Sequence, residues 1–170
     1  MENLYTPNCI RTVSGIYFNV SDPAIEMINI EDIAHSLSQQ CRFGGHLPEF
    51  YSVAQHSYLC STLVRNEFKL EALLHDASEA YLLDIPSPIK PKLTNYKEIE
   101  DRLMRLIAEK YGFNYPLSKE VKKADEEMLN MEWNTIMLQK VNLKGFKCFS
   151  PGFAKSRFLE TFYELTNGKN

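Results

Sequence analysis

Five residues of this 170-residue sequence have types and spacings that could act together on one ion: His56, the cluster His75, Asp76 and Glu79, and Asp125. At ~3.6 residues per helical turn, His56 falls on the inward side of one helix, and His75, Asp76 and Glu79 lie within about 100° of one another on the next. Burying imidazoles and carboxylates without partners is costly. A divalent cation is the economical partner, because it takes neutral imidazole nitrogens and carboxylate oxygens together and offsets the desolvation of the carboxylates. Asp125, at the edge of the apolar face of a later helix, brings an oxygen from a third direction. His56, His75, Asp76 and Asp125 are therefore the expected metal ligands. Two nitrogens and two carboxylates leave room for water in a roughly six-coordinate shell, which suits manganese, iron, cobalt, nickel or magnesium better than a closed structural zinc site. Glu79, one turn beyond His75, is placed to exchange a proton with water on such an ion.

The elements that must hold these groups follow from the hydrophobic pattern. Segments Ile10 to Val13 and Ile16 to Val20 flank Ser14-Gly15 and predict a small β-hairpin. Beyond Asp22-Pro23 the period becomes helical, with Asn29 as N-cap, Ile30, Ile33, Ala34, Leu37 and Cys41 on one face, and Gly44-Gly45 as the stop. A second helix is expected from Ser52 to about Arg65, facing inward with Val53, His56, Cys60, Leu63 and Val64. A third is expected from about Asn66 to Leu83, ending in the segment of Pro86, Pro88 and Pro91. A fourth runs from Thr94 or Asn95 to Tyr111, with Ile99, Leu103, Leu106 and Ile107 inward and Gly112 as its stop; a fifth starts near Ser118. A last helix opens at Ser150-Pro151. The expected fold class is all-α, a helical bundle with a small N-terminal β-hairpin. Trp133 and methionines 128, 131 and 137 are expected to pack a helix interface, and His35 to lie at the surface.

Composition narrows the setting. Nineteen Lys and Arg against 22 Asp and Glu give a net charge of −3, too little positive field to gather a long nucleic acid. The four cysteines have no paired zinc-ribbon or redox spacing. The first residues lack a secretory pattern, and no run approaches the ~18 apolar residues of a membrane span. A single domain over residues 1–170, located in the cytoplasm, is the expectation, and its small size favours assembly into a homo-oligomer.

The order His56, then His75-Asp76, then Asp125 resembles the H…HD…D signature of the HD-domain phosphohydrolases. The strings "FYSVAQHS", "ALLHDASEAYLLDIPSPIK" and "VKKADEEML" are similar to those of bacterial deoxyribonucleoside 5′-monophosphatases and their short phage relatives. The resemblance spans roughly residues 25 to 135 and implies an HD-domain bundle with His56, His75, Asp76 and Asp125 on a divalent ion, one of cobalt, manganese, zinc, nickel, iron or magnesium. It further implies that Glu79 orients or deprotonates the attacking water and that Asp84 helps position the sugar or that water. Arg42 matches the family's phosphate-holding arginine, and Phe43 stands where those relatives have Trp. His46 and Lys90 are the remaining candidates for contact with phosphate.

The implied reaction is attack at the α-phosphorus of a small-molecule 2′-deoxynucleotide. Two leaving groups fit. Lys90 and Lys92, with Arg42 and His46, could line a longer anionic channel, and on that ground and by analogy the first expectation is a triphosphohydrolase converting dATP to deoxyadenosine and triphosphate. The alternatives are a 5′-monophosphatase and a nucleotide-binding module without catalysis.

Overall fold

The chain turns helical where a capping side chain precedes an apolar stripe. In the computed structural model, which describes residues 7–140 and 146–167, the side chain of Asn29 accepts the Glu31 N–H at 2.9 Å and opens α1 (Ile30–Gln39). Ser52 caps α2 (Val53–Thr62) by accepting the Gln55 N–H at 3.1 Å. Two short helices follow, α3 (Lys69–Leu73) and α4 (Glu79–Leu82). The long α5 (Tyr96–Tyr111) closes on Gly112, whose φ of 72° is the left-handed conformation that lets its N–H reach the Ala108 carbonyl. Ser118 caps α6 (Lys119–Glu132), which runs on into a π-turn over Trp133–Met137. Ser150 opens α7 (Pro151–Asn167), with Pro151 in the first turn. Strands β1 (Cys9–Arg11) and β2 (Tyr17–Asn19) pair antiparallel with Ile10 opposite Phe18, so the fold is mainly helical with one two-stranded sheet among the described residues.

Helix α2 is the centre of the packing, with α1, α3, α6 and α7 around it, and α4 lies on α1. Ile33, Leu37, Val53, Leu73, Leu74, Ile107 and Phe158 are fully buried in the main core. Phe18 carries the hairpin into that core by stacking on Tyr81 of α4, ring centroids 3.9 Å apart. Truncating a buried ring of this kind costs about 3–5 kcal/mol.

Three expectations change. The helix expected from Asn66 to Leu83 is broken: a 3-10 turn at Asn66–Phe68 leads into α3, and Leu74 leaves the helix with φ −104° and ψ 8°. Three-residue turns follow, with Ala77 N–H on the Leu74 carbonyl and Glu79 N–H on the Asp76 carbonyl, each at 3.0 Å. In a regular helix adjacent side chains diverge by ~100°, and the tightened turn instead brings His75 Nε2 to 3.2 Å from Asp76 Oδ2. Helix α2 ends at Thr62 rather than near Arg65, leaving Leu63 exposed. On α5 the inward stripe is Leu103, Met104, Ile107 and Ala108, so Ile99 faces solvent. No described helix is long and apolar enough to cross a membrane.

Candidate metal centre

The non-helical turn after α3, the middle of α2 and the middle of α6 converge on one point. His75 comes from the turn, and its Nδ1–H donates to the Ala72 carbonyl at 2.7 Å, which leaves Nε2 as the free acceptor nitrogen. That Nε2 is buried and has no hydrogen-bond partner. His56 of α2 directs Nε2 to Asp125 Oδ1 of α6 at 3.1 Å and stands 3.7 Å from Asp76 Oδ2, and His75 Nε2 stands 3.7 Å from Asp125 Oδ1. All four expected ligands therefore meet. A buried imidazole nitrogen without a well-aligned hydrogen bond, beside two carboxylates and a second imidazole, belongs to a donor set that fits a divalent ion.

Cys60, one turn beyond His56 on α2, also belongs to the neighbourhood. Donor atoms of His56, Cys60, His75 and Asp125 all lie within 4.8 Å of one another. Asp76 is the other candidate for a fourth donor. Its carboxylate approaches both imidazoles and is 20% exposed, whereas Cys60 is fully buried with Sγ 3.5 Å from His56 Nε2 and 4.0 Å from the Ala124 carbonyl oxygen.

Glu132, buried on α6 with Val121, Ala124 and Met128, is the hub behind the cluster, and residue type and spacing do not single it out. Fully buried at the end of α6, it accepts Tyr51 O–H at 2.8 Å, His56 Nδ1–H at 2.5 Å and Arg42 Nε–H at 3.1 Å. The bond to Nδ1 fixes the His56 tautomer so that Nε2 faces the ligands. Burial opposes ionisation of Glu132, but His56 and then Arg42 outweigh it and hold the carboxyl below its usual range. Burial likewise opposes protonation of both histidines. Glu132 and Asp125 around His56, and Asp76 and Asp125 around His75, nevertheless raise both well above the ordinary imidazole range. Asp76 and Asp125 are correspondingly lowered by the histidines, against their own desolvation.

The two expected catalytic carboxylates sit beside this cluster. Burial first, then Asp76, pushes Glu79 up to about 8, while Lys90 pulls the other way. Its Oε1 receives Lys90 Nζ at 3.0 Å, and its Oε2 is buried without a partner. The side chain of Gln40 clamps this segment: Nε2 donates to the Glu79 carbonyl at 2.9 Å, and Oε1 accepts the Asp84 N–H at 3.0 Å. Asp84 is raised by burial, and it follows Leu83, whose φ of 69° with ψ of 154° is a strained conformation for a side-chain-bearing residue.

Arg42, Phe43 and Asp84 line a cleft of about 450 Å³ together with Pro86, Ser87, Pro88, Leu129, Asn130 and Trp133. Arg42 links cleft and cluster, with Nη1 3.7 Å from Asp76 Oδ2. Three expectations are corrected at this cleft. Lys90 does not line it, because its ammonium lies 3.0 Å from both Glu79 and Glu100. His46 is exposed and also lies outside the lining, its backbone N–H spent on the Phe43 carbonyl at the end of a 3-10 turn. Trp133, expected in a helix interface, is 45% exposed and faces the cleft beside Phe43. The π-turn widens the helical repeat where α6 ends and sets the indole outside the packed stripe of Val121, Ala124 and Met128.

No family model matches the chain. The uncharacterized protein YfdR of Escherichia coli (strain K12) is 44% identical over 169 residues, spanning 92% of this chain and 95% of that protein. The uncharacterized protein RCAP_rcc00048 of Rhodobacter capsulatus is 34% identical over 136 residues, 72% of this chain and 69% of that protein.

Proposed function

The chain belongs to the family of Escherichia coli YfdR, and for this member we propose an HD-domain, metal-dependent phosphohydrolase activity on 2′-deoxynucleotides. The observation that carries the reading is the orphaned His75 Nε2 among His56, Asp76 and Asp125, with a buried, half-unpartnered Glu79 and a cleft-lining arginine beside it. A divalent ion held by His56, His75, Asp76 and Asp125 supplies Lewis acidity, making water a stronger acid and polarising phosphoryl oxygens.

The chain's own groups do the rest. Glu79 accepts a proton from the attacking water through Oε2, and the burial that raises its carboxyl makes the carboxylate a stronger base for that task. The water oxygen bonds to the α-phosphorus, the bond from phosphorus to O5′ breaks, and the proton held by Glu79 passes to O5′. Arg42 is fixed through Nε by Glu132, which leaves its terminal nitrogens to hold phosphoryl oxygens. Asp84, its backbone clamped by Gln40, accepts a hydrogen bond from the sugar.

One observation bears on the leaving group. Arg42 is the one cation among the described residues lining the cleft, and the Lys90 ammonium lies outside it between Glu79 and Glu100. This supports a monophosphate over the triphosphate channel that Lys90 and Lys92 would have lined. The test is to incubate metal-reconstituted protein with each dNMP and dNTP and identify products by chromatography. Free deoxynucleoside with inorganic phosphate supports the monophosphatase reading, and free triphosphate supports dATP-type hydrolysis. No deoxynucleoside from any substrate, with bound metal verified, overturns the enzyme. His75→Ala loses metal and turnover together, whereas Glu79→Gln keeps the metal and loses turnover.

A further inference from the structure

The aromatic end of the cleft is unexplained by phosphate chemistry. Trp133 is the only tryptophan of the chain, it is 45% exposed, and it stands on a π-turn, an irregularity frequent at functional sites. Phe43, beside it, has a φ of 56°. A left-handed backbone at a bulky residue is costly and persists where the surroundings enforce it. Leu83, next to the cleft-lining Asp84, also has a positive φ, 69°. The fold thus holds one unfavourable backbone conformation at a cleft-lining residue and one beside another, in a cleft that Arg42 also lines.

The rings of Phe43 and Trp133 are 6.0 Å apart and inclined by 40°, close enough to touch each other and too close to admit a third ring between them. They line the cleft together with Pro86, Pro88 and Arg42. A flat, apolar group attached to an anion matches this lining of rings, prolines and one guanidinium. We infer that Trp133 is the stacking platform for the nucleobase, an inference that rests on the nucleotide reading above and assigns the base to the Trp133 end of the cleft. Trp133, opening the π-turn that continues α6, supplies the larger ring of the cleft, with Phe43 as its smaller neighbour.

Because the chain has a single tryptophan, its emission reports on this residue alone. Full-length protein carrying Glu79→Gln and loaded with diamagnetic Zn²⁺ is titrated with dAMP, with dATP, and with 2-deoxyribose 5-phosphate, which lacks a base. Saturable change of emission with dAMP or dATP but not with the sugar phosphate is expected. Trp133→Leu weakens calorimetric binding of dAMP by about 5- to 140-fold, the loss typical of one stacked base. Trp133→Phe recovers most of it, and 2-deoxyribose 5-phosphate binds all three proteins alike. Calorimetric binding of nucleotide that leaves the emission unchanged and is insensitive to Trp133→Leu overturns the platform while leaving the nucleotide reading intact. No binding of any of the three ligands overturns both.

Discussion

Glu132 offers the sharpest test of how this site is built, because one carboxylate serves three buried donors. Glu132→Ala strands the Arg42 guanidinium, the Tyr51 hydroxyl and His56 Nδ1–H, of which Tyr51 and His56 are fully buried and Arg42 is 8% exposed. Removing one member of a buried ion pair costs about 3–5 kcal/mol. For a chain of this size each kcal/mol is worth about 2–4 °C, so the melting temperature should fall by about 6–20 °C. Glu132→Gln keeps the shape, but its amide group must face at least one of the three donors, at a cost of about 1–3 kcal/mol and ~2–12 °C. Its second effect is on the ion: losing the anionic partner of His56 should weaken Zn²⁺ binding about 10- to 100-fold. Melting by calorimetry and Zn²⁺ titration against a competing chelator measure the two effects separately. Glu127→Gln, on the same helix and exposed, serves as control and should change neither. A Glu132→Gln protein with unaltered melting and unaltered Zn²⁺ affinity would refute the hub.

Gln40→Leu removes the clamp on the Glu79 carbonyl and the Asp84 N–H, and should lower kcat by up to about 100-fold while metal content by mass spectrometry stays at the wild-type value; retained kcat would show that the clamp does not position these carboxylates. Metal binding should release protons, since both histidines are raised well above the ordinary range in the metal-free chain and an ion needs them neutral. The sign follows: Zn²⁺ affinity falls as pH falls, by up to about tenfold per unit for each proton displaced, and titrations in buffers of different ionisation enthalpy between about pH 6 and 8 will show it. A flat affinity would contradict the carboxylate-rich cluster. Leu83→Gly relieves a left-handed conformation at a side chain that is largely exposed, and should raise the melting temperature by ~2–4 °C, about 1 kcal/mol, as read by calorimetry.

Much of this architecture can be read from residue types. The caps at Asn29, Ser52 and Ser118 and the Gly112 stop follow from short-range chemistry that pattern reasoning captures, and the expected donors His56, His75, Asp76 and Asp125 are marked by residue type, while the fold brings them together. The break at Leu74 does not, because Leu73, Leu74 and Ala77 are good helix formers and only the tertiary demand on His75 and Asp76 selects the turn. Glu132 and Gln40 escape notice for another reason. Apart from the Gln40 bond to Ser36 one turn back, their partners lie between 39 and 90 residues away, so nothing local marks an ordinary Glu or Gln as a hub. Lys90 shows the converse error: a lysine near expected phosphate sites invites a role, and only the fold brings Glu100 within 3.0 Å to engage it.

The cleft walls differ in what they can say to a ligand. Pro86 and Pro88 carry no N–H, so on the loop side Ser87 alone of these three residues has a donor, and that wall gauges thickness more than it reads an edge. On α6 and the turn at its end, Leu129, Asn130 and Trp133 line the cleft while Asp125 and Glu132 meet His56. Under the proposed function, ligand preference and ion chemistry therefore fall on separate parts of α6 and its end. Exchange of residues 129, 130 and 133 would then redirect the choice of base, across a lineage or in the laboratory, and leave His56, His75, Asp76 and Asp125 in place.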